Sequence, residues 1–507
     1  MAASVHPDGT RSIMRLSAFL LVAASSAALA QTPQPAAQTQ ASGPILTLEE
    51  AIQLALRNNP DHLTTRSARQ RSGSQLRASY GALMPQLSSS FTSSFSKGGP
   101  IVFEGQQIGS QPDQLGSRYS VSLSASYSGS SLLGPRVAKA QMDAADAEVL
   151  SSEATIRSTI VTNYLNALQA QARAALQDTL LANAQAQLEL NRAREQVGAG
   201  TSLDVLNAEV QVGQVRVAAL RERNQAEIAL LTLFQAMGVS KPEGVRLVTS
   251  FPLTEPTLRV NELFEMARRA NPALNAARAR ESAANTSVTS ARSSFLPTLS
   301  IGTGWSGFTN EATDIEPALA SAAAQAGAQR RSCLTSDSLR AGAGLAPLGN
   351  CDRFQFTDAD AAAMRAENNQ YPFNFQKQPF GYGITLSLPI FDGFRREQRI
   401  QDAAAARNEA RYALRRQELQ MTTDINTAHR NLTTQYEQVK AQEQTKAAAE
   451  QAFQLAQERY RVGASNFLDV STARTNFAQA STDLINAIFE FHKAYAALER
   501  AVGRPLR

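Results

Sequence analysis

Two periods of hydrophobic residue divide the chain. In one stretch Val121, Leu123, Ala125 and Tyr127 alternate with Ser122, Ser124, Ser126 and Ser128, and in another Ile384, Leu386, Leu388 and Ile390 alternate with Thr385 and Ser387. Leu87, Phe91 and Phe95, and then Leu299, Ile301 and Trp305, fall at even spacing in the same way. A period of two predicts strands, here over about 86–96, 119–128, 298–308 and 380–391. The second period is helical. Ile156, Ile160, Tyr164 and Leu168 recur every fourth residue, while Leu203, Leu206, Val210, Gly213, Val217 and Leu220 alternate spacings of three and four, a heptad seam. Very long helices are expected over 135–197 and 395–462.

None of the four predicted strand segments carries a charge. Each is about ten residues long, the length of a tilted strand crossing a hydrocarbon layer. Read as soluble hairpins they would be barely stable two-stranded ribbons with open edges. Read as membrane strands they must belong to a closed barrel, because open edges are not tolerated in lipid. Four strands cannot close one, since the smallest membrane barrels use about eight. The chain is therefore expected to oligomerise, and three copies would supply twelve strands.

The pattern is also written twice. Val197-Gly198-Ala199-Gly200-Thr201-Ser202-Leu203-Asp204-Val205 returns 265 residues later as Val462-Gly463-Ala464-Ser465-Asn466-Phe467-Leu468-Asp469-Val470. Gly198 and Gly463 fall where a helix end wants positive φ, and Thr201 or Ser202 and Asn466 suit the N-cap of the next helix. Each copy, 197–205 and 462–470, therefore reads as the tip of a helical hairpin. Arg57-Asn58-Asn59-Pro60 and Met84-Pro85-Gln86-Leu87-Ser88 recur 212 residues later as Arg269-Ala270-Asn271-Pro272 and Leu296-Pro297-Thr298-Leu299-Ser300. The difference between the two offsets places one insertion in the second half, at about 309–379. The expected organisation is a first repeat over 45–242, a linker over 243–257 and a second repeat over 258–507. Each is an α+β unit of helix, strand, strand and helix. Thr47 to Glu50 has the form of a capping box opening the first helix, and Pro60 and Pro85 are expected to interrupt the helices that reach them, the second at about Met84.

Composition refines this picture. Low charge (18%) and few aromatics (6%) suit long helices packed along narrow seams. The net charge of +5 is small and its cations are interspersed with acids, which argues against a nucleic-acid partner. Arg11 and Arg15, an apolar run to Leu29 and Ala28-Leu29-Ala30 form a secretory signal over 1–30, followed by a Gln/Pro-rich lead-in over 31–44. In the oxidising compartment this implies, Cys333 and Cys351 are expected to form one disulfide in the insertion, two free thiols being the alternative. The four histidines have no metal-ligand spacing. Gly302-Thr303-Gly304-Trp305-Ser306-Gly307 spells a dinucleotide fingerprint, but it lies in a predicted strand and opens no helix. No catalytic motif, metal site or cofactor site is expected, and the chain does not read as an enzyme.

With the doubled helix–strand–strand–helix plan, the Asn-Pro after each opening helix and the two Val-Gly-x-x-x-x-Leu-Asp-Val tips, the chain resembles the outer membrane efflux protein (TolC) family. The resemblance implies a homotrimer with a 12-stranded outer-membrane β-barrel, set in outer membrane lipid and continued by a long periplasmic α-helical coiled-coil barrel in a Gram-negative bacterium. It also implies an exit duct for small molecules or proteins, docked to a periplasmic adaptor (membrane fusion) protein. The third component would be an inner-membrane pump of the resistance-nodulation-division or ABC transporter type. On this resemblance Val197, Gly198, Leu203, Val462, Gly463 and Leu468 become the adaptor-docking tips. Asp469, Asp204 and Thr472 become candidates for the periplasmic aperture. Some members carry two aspartates three residues apart after the second tip; here the pair is Asp469 and Thr472, and in the first half Asp204 and Asn207. Type I protein secretion is the alternative within the family. Outside it stand a periplasmic adaptor, which needs only one hairpin, and a trimeric surface structural protein, which needs a long passenger.

Overall fold

The computed structural model describes residues 44–248, 251–347 and 349–506. The signal and nearly all of the lead-in lie outside the described residues. A short strand β1 (Ile45–Leu46) precedes α1 (Leu48–Asn58) and α2 (Pro60–Gly81). Thr47 and Glu50 form the capping box reciprocally, with Thr47 N–H donating to Glu50 Oε2 over 2.9 Å and Glu50 N–H to Thr47 Oγ1 over 3.3 Å. Asn59 closes α1 and caps α2, its Oδ1 accepting from His62 N–H. Helix α2 ends at Gly81, three residues before Met84, and Met84-Pro85 leads out of a turn.

The sheet follows. Strand β2 (Gln86–Ser96) leads to a hairpin of β3 (Pro100–Phe103) and β4 (Gln106–Ser110), then β5 (Gln114–Tyr127). The β3–β4 turn, Glu104-Gly105, has positive φ at both positions, as a two-residue hairpin requires. Strand β5 starts five residues before the expected 119, so it contains Arg118, and the expectation of an uncharged segment holds only for its lower part. Helices α3 (Gly129–Gln196) and α4 (Ser202–Met237) make the first hairpin, and β6 (Arg246–Leu247) pairs in parallel with β1. Helix α3 begins six residues before Pro135, capped by Ser128, and carries that proline inside.

The second half runs α5 (Val260–Ala270), α6 (Pro272–Arg292), β7 (Thr298–Ala312), α7 (Glu316–Gly342), α8 (Asp358–Asn368), β8 (Gln376–Lys377) and β9 (Gly381–Ser387), with a 3-10 turn before β7 and another before α8. It ends in the second hairpin, α9 (Arg395–Arg461) and α10 (Phe467–Val502). Strand β7 extends past the expected 308 and takes in Glu311. Strand β9 stops before Leu388, short of the expected 391, and Pro389, with no N–H to donate, cannot continue a ladder. The insertion, which shows no period in sequence, holds a 27-residue helix. Leu319 is the one buried residue of α7; the face this helix turns to the 351–354 turn is built of Ala, Gly, Arg330 and Cys333 and held by the disulfide and the Arg330–Asp352 pair, so it shows no apolar stripe.

The sheet is antiparallel in the order β2–β5–β7–β9, with β8 extending the last edge. Its register puts Leu87, Leu123 and Thr303, then Ile301 and Ile384, then Leu299 and Leu386, on one face. Ser88 faces Ser122 and Ser90 faces Ser120 on the other, their hydroxyls 2.7 and 2.8 Å apart. The helices repeat the strand order: α3 packs between α2 and α6, and α6 against α9. Three large apolar cores lie along the helices, with a small alanine cluster of Ala170, Ala174 and Ala226 between α3 and α4. One joins α1, α3 and α4 around Ile160, Tyr164 and Leu233; one joins α5, α9 and α10 around Ile425, Phe491 and Leu498. The third holds the two hairpin tips together.

The two halves close in the same way. Asn59 Nδ2 donates to Ala236 O and Asn271 Nδ2 to Ala501 O, both over 2.8 Å. Gly238 and Gly503 end α4 and α10 with φ of 73° and 87°, and a Cβ on either would stand within 2.6 Å of the backbone beside these asparagines. Only glycine fits both the turn and the approach.

Candidate functional site

At each tip the chain reverses on a glycine with φ of 73° (Gly198) and 79° (Gly463), and nothing lies within 4 Å of a Cβ built there. Val197, Val462, Leu203 and Leu468 are 64–77% exposed, so each tip presents a small apolar surface that no described residue covers. Thr201 caps α4 in a capping box whose acid is Asp204: Asp204 Oδ2 accepts from Thr201 N–H over 3.2 Å and from Thr201 Oγ1 over 2.8 Å. At the second tip the cap is Asn466, whose Oδ1 accepts from Asp469 N–H over 2.9 Å. The two aspartates therefore differ. Asp204 spends its carboxylate on the helix start, while the Asp469 carboxylate is exposed and meets no hydrogen-bond donor among the described residues. Thr472 is exposed one turn further on. Between α4 and α10 a groove of about 410 Å³ runs past Leu203, Asn207, Gln211, Asn466, Leu468 and Ser471.

The hairpins are tied together just behind the tips. Tyr460, on the last turn of α9, donates its hydroxyl to Asn191 Oδ1 on α3 over 3.0 Å. Arg194 lies over the Tyr460 ring at 4.6 Å and donates to its carbonyl oxygen. Asn191 is 1% exposed and also accepts from Gln187 Nε2 (3.0 Å) and donates to Asp204 O (3.2 Å). Ser471 Oγ adds a bond to Gln211 Oε1 at 3.1 Å. Burial, and then the nearby Asp204, raise the Tyr460 phenol above its ordinary value, with Arg194 opposing; the hydroxyl thus stays a donor at neutral pH. Beside this contact Arg474 is buried without a hydrogen-bond or ion-pair partner among the described residues, and burial lowers its guanidinium to about 10.

Asp204, Asp469, Thr472 and the six tip residues all fall at this end of the molecule. The Tyr460–Asn191 contact joins residues 269 apart and has no motif in the sequence. Its only signal there is a tyrosine three residues before a turn glycine. Cys333 and Cys351 are joined in a disulfide with Cα atoms 5.7 Å apart, at the far end of the chain's plan. With Asp337 they are the one grouping of possible metal ligands among the described residues, but the bonded sulfurs offer no thiolate. No helix of the described residues is long and apolar enough to cross a membrane.

Residues 51–239 and 356–504 match the family described as outer membrane efflux protein. The chain is 21% identical to the outer membrane protein TolC of Vibrio cholerae, across 90% of each. It is 25% identical to the pyoverdine export outer membrane protein OpmQ of Pseudomonas putida, across 90% of this chain and 85% of that protein. Its fold follows the CmeC outer membrane channel of Campylobacter jejuni, with a TM-score of 0.67 at 17% identity, across 90% of this chain and 85% of the other. The family match spans both hairpins together with α2 and most of α1, and the chain belongs to the outer membrane efflux protein family.

Proposed function

We propose that three copies of this chain form an exit duct through the outer membrane, with twelve strands closed into a barrel and the helical hairpins continuing it into the periplasm. The carrying observation is the sheet: one face apolar and exposed, the other lined with serine and glycine, and both edges, β2 and β9, unpaired among the described residues. A membrane does not accept free edges. Joining β9 of one copy to β2 of the next removes them, and the helices follow in the same order because α2 and α9 are the outermost of their row. The serine face would then line the lumen and the apolar face meet lipid. At ~1.5 Å per residue the hairpins reach about 100 Å below the sheet, carrying the tips toward a periplasmic adaptor and an inner-membrane pump. Each protomer consists of two copies of one unit, the second enlarged by the insertion. Exported small molecules are the preferred cargo, supported by a relative named for pyoverdine export.

Mass measurement of the protein in detergent tests the assembly. A trimer is expected, and a folded monomer overturns the reading.

A further inference from the structure

The return arm of the insertion, 368–375, does not lie over the serine face. It crosses the apolar one. Asn368 pairs with the end of β7, its amide bonding both Ala312 N–H and Ala312 O at 2.9 and 2.8 Å. Glu311 Oε2 accepts from the N–H groups of Gln370 and Tyr371 at 3.1 and 2.8 Å. Ser117 Oγ donates to Pro372 O at 2.5 Å and sits 2.7 Å from Thr309 Oγ1; Ser93 Oγ meets the Tyr371 hydroxyl at 3.0 Å. The register places Ser93, Ser117, Thr309 and Glu311 on the face that carries Phe91, Tyr119, Trp305 and Ile301. Ser117 and Thr309 are each only 3% exposed beneath the arm. The arm carries Phe373, 72% exposed, and the half-buried Phe375, in an aromatic cluster with the sheet's Phe91 (6.1 Å to Phe373) and Tyr119 (4.7 Å to Phe375).

An outward phenyl ring above inward-bonded backbone is not what water alone would select. Asn368, the Tyr371 hydroxyl and the backbone groups of Gln370, Tyr371 and Pro372 turn inward to satisfy polar groups of the sheet, while the Phe373 ring turns out between the exposed Asn369 and Asn374. That arrangement is favourable where the surrounding medium is apolar and unsatisfied polar groups are costly. Position along the strands agrees. Ten residues separate Leu299 from Thr309, about 26 Å along a barrel axis at ~3.4 Å per residue and ~40° tilt, against an apolar band about 25 Å tall. The row of Ser117 and Thr309 therefore falls at the outer rim of the band, the level where aromatic rings concentrate.

We propose that residues 368–375 form a collar on the lipid side of the barrel. It shields the polar upper rows of β2, β5 and β7 from the outer leaflet and sets Phe373 and Phe375 at the boundary of acyl chains and headgroups. The collar rests on the barrel reading above. The protein's single tryptophan, Trp305, lets one experiment separate the two. The parent trimer and a Trp305→Phe/Phe373→Trp variant are reconstituted into phosphatidylcholine vesicles carrying bromine either close to the headgroup or near the chain ends. In the parent, Trp305 should lose most of its emission to brominated lipid. In the variant, the introduced indole should also lose most of its emission, chiefly to the shallow bromines, and should resist aqueous iodide. If Trp305 is quenched by lipid while the introduced indole answers only to iodide, the collar is overturned and the barrel stands. If neither responds to brominated lipid, the barrel reading fails and the collar with it.

Discussion

Tyr460→Phe isolates one bond at the mouth of the proposed duct. The phenyl ring stays beneath Arg194, whose second bond goes to the backbone carbonyl of residue 460. Asn191 keeps its partners Gln187 and Asp204. What disappears is the 3.0 Å bond from the hydroxyl to Asn191. A neutral hydrogen bond of this kind contributes about 1 kcal/mol. If the three hairpin pairs of a trimer separate together, the closed state loses about 3 kcal/mol, and since 1.4 kcal/mol is tenfold, the open population rises by roughly two orders of magnitude. Recordings from single trimers in planar bilayers should show it as a large gain in open time at unchanged unitary conductance of the open state. The raised phenol adds a pH signature. The stabilisation is fully present below the ordinary value of 10.0 and is lost as pH climbs through the higher folded value, so the parent should open in strong alkali and the variant should lack that component. Open time indistinguishable from the parent would show that the Tyr460–Asn191 bond does not hold the mouth closed.

Asp469→Asn should reduce cation preference and block by multivalent cations without changing thermal stability, because the helix cap is Asn466 and the free carboxylate acts only through its charge; unaltered selectivity would remove Asp469 from the aperture. Arg at both Gly198 and Gly463, where φ is positive, should abolish cross-linking to the adaptor and export while the trimer persists in detergent. Asp392→Ala strips the buried Arg396, 6% exposed at its side chain, of its 3.2 Å partner, and should destabilise the junction of sheet and α9 by about 3 kcal/mol, read as a lowered melting temperature. Leu386→Arg should cost roughly 2–4 kcal/mol if this face meets lipid near the midplane, and a neutral outcome would contradict the assignment of faces.

The features legible in the sequence are those whose cause is local. A glycine at a helix end followed by a capping residue dictates the tip whatever lies around it, and Gly198, Thr201, Gly463 and Asn466 all do so. Alternation marked the strand centres, where each residue answers to one medium or the other. It failed at the strand ends, since Arg118 and Glu311 extend β5 and β7 past the uncharged band. Helix α7 has no legible period because its packed face is made of alanine, glycine, Arg330 and the disulfide-bonded Cys333 instead of large apolar residues. The collar and the Tyr460–Asn191 bond depend on partners far along the chain: Tyr371 meets Ser93 across 278 residues, and Tyr460 meets Asn191 across 269. No local pattern encodes such a pairing.

The matched lengths of the two halves limit how this protein can change over evolutionary time. Helices α4 and α10 have 36 residues each, α1 and α5 have 11 each, and α3 and α9 have 68 and 67. Each long helix is pinned at both ends, to the sheet above and to its neighbour's tip below. A single residue lost from α9 would lower its rise by ~1.5 Å and turn everything beyond it by about 100°, carrying Tyr460 away from Asn191 and Phe467 out of the tip core. Compensation would require a matching loss in α3. Between Thr313 and Glu367 no helix is pinned at both ends in this way, and it is there that the second half is longer than the first. Length variation among relatives should therefore gather at the sheet's outer end, while the hairpins gain or lose residues only in pairs, as a fixed gauge of the distance they span.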